Sequence, residues 1–144
     1  MRIIAGTYKG RTLRGPTGDG VRPTSDRLRG TIFNILREDV VDAQVLDGFA
    51  GTGALGLEAL SRGATRVTFV DRDPRALTVL RQNVEACGAG NACVIIRDDF
   101  IGLSARHGDL GRFTRALLEP PYDYRDLDAL LAEAGRLLAP TGTV

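Results

Sequence analysis

The sequence has little of what a small protein uses to build metal or redox centres: two cysteines and one histidine in 144 residues. Cys87 and Cys93 match neither a zinc ligand pair nor a CxxC couple, so two reduced thiols near the core are expected, and no metal. His107 stands in a polar stretch with no partner at triad or metal-ligand spacing, and it is assigned no chemistry. Long apolar runs are lacking too. The N-terminal MRIIAGTYKGRTL has no continuous apolar stretch of the kind a signal peptide needs, and no segment reaches the length of a membrane-spanning helix. A cytoplasmic chain that needs no membrane is expected. Internal repeats and low-complexity tracts are also absent, which excludes solenoid and linker architectures. One domain over 1–144 with one core is the expectation for this length.

Overall charge is close to balanced, with a formal net of +1, but its distribution is not. Residues 1–37 carry Arg2, Lys9, Arg11, Arg14, Arg22, Arg27, Arg29 and Arg37 against Asp19 and Asp26 alone, while the rest of the chain is net acidic. A basic edge on a mildly acidic body is what a polyanion-binding surface looks like, and equally what a solvated charged face looks like. Within that edge, RIIAG and GRTL read as two short strands of a small hairpin joined by Thr7–Gly10. A turn-rich stretch from Gly15 to Pro23 follows. Thr24-Ser25 then offers an N-cap to a helix whose Leu28, Ile32, Ile35 and Leu36 recur at helical spacing and predict one buried face.

From Gln44 onward short apolar runs alternate with helical patterns. Strands are expected at 45–49, 66–70, 93–96 and 113–118, and helices at 53–62, 74–86, about 100–105 and 125–138. Asp73-Pro74 supplies a cap and a first-turn proline, and Gly63 and Gly88 supply C-terminal stops. Such alternation predicts an α/β fold, a mainly parallel sheet covered by helices on both faces. Ligands of such sheets bind at the carboxyl ends of the strands.

The first strand ends in DGFAGTGALG, where Gly51, Gly53 and Gly56 satisfy GxGxxG between a strand and a helix. That spacing also serves dinucleotide oxidoreductases. The second strand ends in Asp71, where a carboxylate can accept both hydroxyls of a ribose. Asp47, preceding the glycines, is not needed by a dinucleotide site; it resembles the first motif of Rossmann-like methyltransferases, in which that carboxylate faces the amino acid moiety of S-adenosylmethionine. Phe49, Ala50, Arg72 and Phe100 complete the candidate cofactor set. Asp99 matches the position at which those enzymes hold the adenine amino group, with Asp98 as the competing assignment.

The fourth strand runs into Glu119-Pro120-Pro121-Tyr122, which resembles the (D/N)PP(Y/F) motif of amino-methyltransferases. An exocyclic amine is a poor nucleophile because its lone pair is delocalised into the ring. A side-chain oxygen and a backbone carbonyl, the latter held by prolines, can keep the nitrogen near tetrahedral, and an aromatic face can stack an extruded base. An ordinary Pro-Pro turn with a surface tyrosine is the plainer alternative.

Taken with MRIIAGTYKGRTLRGP, VRPTSDRLRGTIFNIL and VLDGFAGTGALGLEALSRGA, these motifs are very similar to the bacterial 16S rRNA guanine-N2 methyltransferase family RsmD, across nearly the whole chain. The resemblance implies a Rossmann-like methyltransferase sheet, S-adenosylmethionine as cofactor, and guanine in 16S ribosomal RNA or a small-subunit assembly particle as substrate. It further implies that Arg22, Pro23, Thr24 and Asp26 line the cofactor and RNA entrance, and that Lys9 and Arg11, with Arg22 and Arg27, contact RNA. Two departures stand out. Glu119 occupies the family's Asp/Asn position, which keeps a catalytically weak cofactor- or RNA-binding relative open as an alternative. The chain also stops at Pro140–Val144, so truncation after the fourth core strand and its helix is expected, with the later strands of a seven-stranded sheet missing.

Overall fold

The computed structural model describes residues 1–16, 25–121 and 123–144. Five helices, α1 (Asp26–Leu36), α2 (Ala54–Ser61), α3 (Pro74–Cys87), α4 (Leu103–Arg106) and α5 (Leu127–Leu137), alternate with β1 (Gln44–Asp47), β2 (Arg66–Asp71), β3 (Cys93–Arg97), β4 (Phe113–Leu117) and β5 (Leu138–Thr143). All neighbouring strands pair in parallel, in the order β3-β2-β1-β4-β5. Because the side-chain period of a strand is two, each strand feeds both faces of the sheet. Val45, Val67 and Phe69 join one apolar layer with α1, α2 and α3. Leu46 and Val70 join another with α4 and α5.

The helix limits follow from local chemistry. The Asp73 carboxylate accepts from the Arg75 amide at 2.9 Å and Pro74 opens the first turn, while Gly88 at φ +63° closes α3 in the left-handed conformation that glycine adopts without strain. Ser25 caps α1 through the Leu28 amide at 3.0 Å.

Three features differ from the sequence reading. The apolar spacing of α1 pointed to Leu28, Ile32, Ile35 and Leu36, yet Leu28 and Ile35 are 51% and 76% exposed, and the buried face is centred on Arg29 and Phe33. Arg29 is tolerated there because the buried Glu58 carboxylate faces its Nε at 3.3 Å. The N-terminal hairpin pairs at one bridge, Arg2 to Thr12, and owes its place to side chains of α2. Glu58 accepts the Ile4 and Ala5 amides at 2.9 and 3.2 Å, and Ser61 Oγ accepts the Tyr8 amide at 2.9 Å. The chain does not end after the fourth strand and its helix: LAPTGT forms β5, paired irregularly with β4, with a register shift between Phe113 and Arg115.

Candidate active site at the carboxyl ends of β1, β2 and β4

Strand order reverses between β1 and β4, so the crevice beyond their carboxyl ends is where a ligand of this sheet is received. Asp47, the last residue of β1, lies in register with Leu117, the last of β4, which sets Glu119 just beyond it. Asp71 ends β2 on the other side. Asp47 and Asp71 thus bond to the glycine turn and the helix that follows it, and Glu119 stands beyond the end of β4, near enough for its charge to act on Asp47.

Asp47 is 1% exposed. Its Oδ2 accepts the Gly56 amide at 3.1 Å, while Oδ1 is buried without a hydrogen-bond partner. Burial pushes the Asp47 carboxyl up to about 7, and the nearby negative charges of Glu119 and Asp71 push the same way against the Gly56 N–H. An unpartnered buried acceptor costs free energy until a donor reaches it. Asp71 uses both oxygens on the backbone: Oδ2 accepts the Gly51 amide and Oδ1 the Asp73 amide, each at 2.8 Å. A carboxylate offers about four lone-pair sites. Asp71 therefore shapes the turn and retains accepting capacity for two further donors.

The three glycines divide the work. At Gly53 (φ +84°) a Cβ would stand 2.2 Å from Leu80, and at Gly56 it would stand 2.3 Å from the Phe69 ring, so both serve helix-to-sheet packing. At Gly51 (φ +54°) nothing lies within 4 Å of that position. The open side of the turn is there, beside Ala50.

Beyond β3, Asp98 and Asp99 differ in their neighbours. Asp98 Oδ2 accepts from Arg106 Nε at 3.0 Å and lies 2.9 Å from His107 Nε2; the Arg106 hydrogen bond holds its carboxyl below the usual range despite some burial. Asp99 keeps a 54% exposed side chain, with Arg72 Nη1 at 4.0 Å. Asp99 is thus the more exposed of the two carboxylates, and His107 is a partner of Asp98. Arg106 also donates to the Asp99 and Ile101 carbonyls at 2.8 and 2.7 Å, so it staples this loop. Phe100 is buried, its ring 5.5 Å from Phe49. It supports Phe49 from the core.

Glu119 and Pro121 are exposed and Pro120 is half-buried. Tyr122, like Arg22, Pro23 and Thr24, lies outside the described residues. Tyr124, which the sequence reading passed over, packs edge-on against Phe49 at 5.7 Å, with its amide bonded to the Pro121 carbonyl at 2.9 Å. The repeated aromatic in PPYDY was the signal. On the N-terminal edge, Lys9 and Arg27 are exposed; Arg11 is exposed too, but donates to the Ala86 carbonyl at 3.0 Å and lies 5.3 Å over the Tyr8 ring. Asn83, 1% exposed, was also missed; it ties the Arg14 backbone to the Thr52 carbonyl. A lone polar residue inside an amphipathic helix carries no sequence signal of that kind.

The described residues contain no group of three or more His, Cys, Asp or Glu side chains arranged to hold a metal ion, and no helix long and apolar enough to cross a membrane. The site does suit a cationic ligand bearing hydroxyls and an amine: it offers the orphan Asp47 Oδ1, the accepting capacity of Asp71 and Asp99, and the open side of Gly51.

The fold is that of the Rossmann-like methyltransferases. The SAM-dependent methyltransferase of Agrobacterium tumefaciens has it, with a TM-score of 0.66 and 22% identity over 79% of this chain and 42% of that one, a likeness of fold alone. Residues 1–144 match the family described as Conserved hypothetical protein 95, and this chain belongs to that family, the RsmD family. It is 50% identical over 95 residues, 66% of its length, to the Ribosomal RNA small subunit methyltransferase D of Escherichia coli strain K12, and the match covers 48% of that relative. The chain thus spans about half the length of that curated relative. A hypothetical protein of Thermus thermophilus superposes with a TM-score of 0.80 at 35% identity, covering 96% of this chain and 80% of that one.

Proposed function

We propose that this chain carries the cofactor- and base-binding machinery of an S-adenosylmethionine-dependent methyltransferase that acts on the exocyclic N2 of a guanine in 16S ribosomal RNA, free or in a small-subunit assembly particle in the cytoplasm. The observation that carries it is the gathering of Asp47, Asp71 and Glu119 at neighbouring strand ends beside an open glycine turn, with one buried Asp47 oxygen lacking a donor. When bound, the cofactor supplies an electrophilic methyl group on a positively charged sulfur. The protein's part is to place acceptors. Asp47 Oδ1 suits the ammonium, Asp71 the ribose hydroxyls and Asp99 the adenine amine. Glu119, at the crevice mouth, suits the guanine amine, while Phe49 and Tyr124 form the aromatic wall beside it. RNA and guanine are further supported by the family and by the printed name of the Escherichia coli relative. The longer Glu119 side chain favours a second reading, a relative that binds without efficient turnover.

The test is methyl transfer from labelled S-adenosylmethionine to small-subunit particles, with isothermal titration of S-adenosylmethionine and NAD alongside. Heat on NAD alone sinks the proposal.

Titration of Asp47 gives a more particular expectation. A cationic group beside Asp47 favours the ionised carboxylate, whereas the ligand-free protein prefers the protonated form below about 7. Binding below that pH must therefore expel a proton. Affinity for S-adenosylmethionine is expected to rise by roughly an order of magnitude between pH 5.5 and 7, and to be flat over that window in Asp47→Asn. Equal slopes for the two proteins would remove Asp47 from the cofactor site.

RNA affinity is expected to fall steeply with salt. The pair Lys9→Ala and Arg11→Ala should lower the slope of log K against log salt by about 1.4–1.8, depending on strandedness. An unaltered slope in filter binding would take the hairpin out of the RNA interface.

A further inference from the structure

The Asn83 side chain, buried on α3, reaches three backbone groups in two distant segments. Its Oδ1 accepts the Arg14 amide at 2.7 Å, and its Nδ2 donates to the Arg14 carbonyl at 3.1 Å and to the Thr52 carbonyl at 2.9 Å. The carboxamide thus pairs with residue 14 as a strand rung would, and closes on the middle of the glycine turn. That turn is also held by the Gly53 amide on the Ala50 carbonyl at 2.8 Å, by the Asp71 bond to Gly51 and by the Leu80 side chain, which fills the space where a Gly53 Cβ would stand. Leu80 and Asn83 lie three residues apart on α3, so one face of this helix touches Gly53 and Thr52 together.

Arg14 itself is at the exit of the docked hairpin. Leu13 is anchored by its amide on the Met1 carbonyl at 2.8 Å, Arg11 by its guanidinium on Ala86, and Arg14 then meets Asn83. Position 14 is therefore where the basic N-terminal edge meets the cofactor turn.

We propose that Asn83 is a positioning residue that couples the two: occupancy of the glycine turn by cofactor stiffens Thr52, and through the shared carboxamide it fixes Arg14 at the exit of the basic hairpin presented to RNA. The inference rests on residues 51–71 being the cofactor site. An amide suits the post because it is donor and acceptor at once. A hydroxyl could not span both carbonyls and the N–H, and a carboxylate would set lone pairs against the Arg14 and Thr52 carbonyl oxygens.

The experiment is residue-resolved amide hydrogen exchange of the full chain, with and without saturating S-adenosylhomocysteine, a product-like probe that keeps the adenosine and amino acid groups. In the wild type, exchange at the Arg14 amide is expected to slow by roughly tenfold on binding, with the Thr7 amide, bonded to the Ser61 carbonyl, serving as an unresponsive reference. In Asn83→Leu, close in size and apolar, probe affinity is expected to fall about tenfold for the lost bonds, and Arg14 exchange to ignore the probe. A wild type that binds the probe with no change at Arg14 overturns the coupling and leaves the proposed function standing. So does a folded Asn83→Leu that still protects Arg14. A wild type that does not bind the probe overturns both. Should Asn83→Leu fail to fold, the wild-type measurement decides by itself.

Discussion

Replacing Glu119 by alanine is expected to lower turnover about 100- to 1,000-fold while leaving cofactor affinity within a few-fold of the wild type. Glu119 stands exposed beyond the carboxyl end of β4, two residues after Leu117, which pairs with Asp47, and its charge is close enough to help push the Asp47 carboxyl up to about 7. On the proposed reading a carboxylate in that place meets an incoming base, while Asp47 and Asp71 serve the cofactor. Its loss removes an acceptor needed when the amine pyramidalises, and so appears in kcat before it appears in cofactor binding. Glu119→Asp separates the two functional readings. The family has Asp or Asn here, one methylene shorter. If the longer side chain overshoots the amine, Glu119→Asp raises turnover; if the backbone has adjusted to glutamate, Glu119→Asp lowers it. Single-turnover methylation of small-subunit particles reads the sign. No change in either variant, with the protein folded and active, would remove residues 119–121 from the catalytic loop.

The largest loss of stability is expected from Glu58→Ala, at about 3–5 kcal/mol in urea denaturation. Glu58 is fully buried and meets four donors: the Ile4 and Ala5 amides, Arg29 Nε at 3.3 Å and Arg62 Nε at 2.9 Å. Without it the guanidinium of Arg29, itself 0% exposed, stays buried with less of its charge compensated; Asp26 at 2.9 Å and the Arg2 carbonyl remain its partners. The hairpin loses two anchors in the same step. Because removal of one partner costs more than removal of both, Arg29→Met with Glu58→Leu is expected to recover a large part of the loss. A Glu58→Ala protein within 1 kcal/mol of wild type, on the scale of an exposed ion pair, would show that the network contributes no more than a surface one.

How far the sequence could be read depended on whether the deciding interaction was local. The limits of α3 were legible to within a residue, because Asp73, Pro74 and Gly88 act on the backbone beside them. β2 was legible for a similar reason, as RVTFV is buried on both faces and admits little but a central strand. The buried face of α1 was not, since apolar spacing cannot foresee that a carboxylate on another helix will make an arginine the better core residue. Nor was β5, in which Pro140 and Gly142 disfavour a strand that pairing with β4 nonetheless forms.

By itself the sequence determined the order of strands and helices as far as α5, and it placed Asp47, Gly51, Asp71, Asp99 and Glu119 at or just beyond strand ends, because periodicity, caps and turn residues act over a few positions. The tertiary structure alone decided how each carboxylate of the crevice is engaged. Asp98 is taken by Arg106 and His107 while Asp99 is left exposed, Asp71 shares both oxygens with the turn, and Asp47 keeps one oxygen buried without a donor. It also decided that Asn83 would join the N-terminal edge to the glycine turn. Those outcomes depend on hydrogen-bond geometry and burial set by segments far apart in the chain, and no local pattern encodes them.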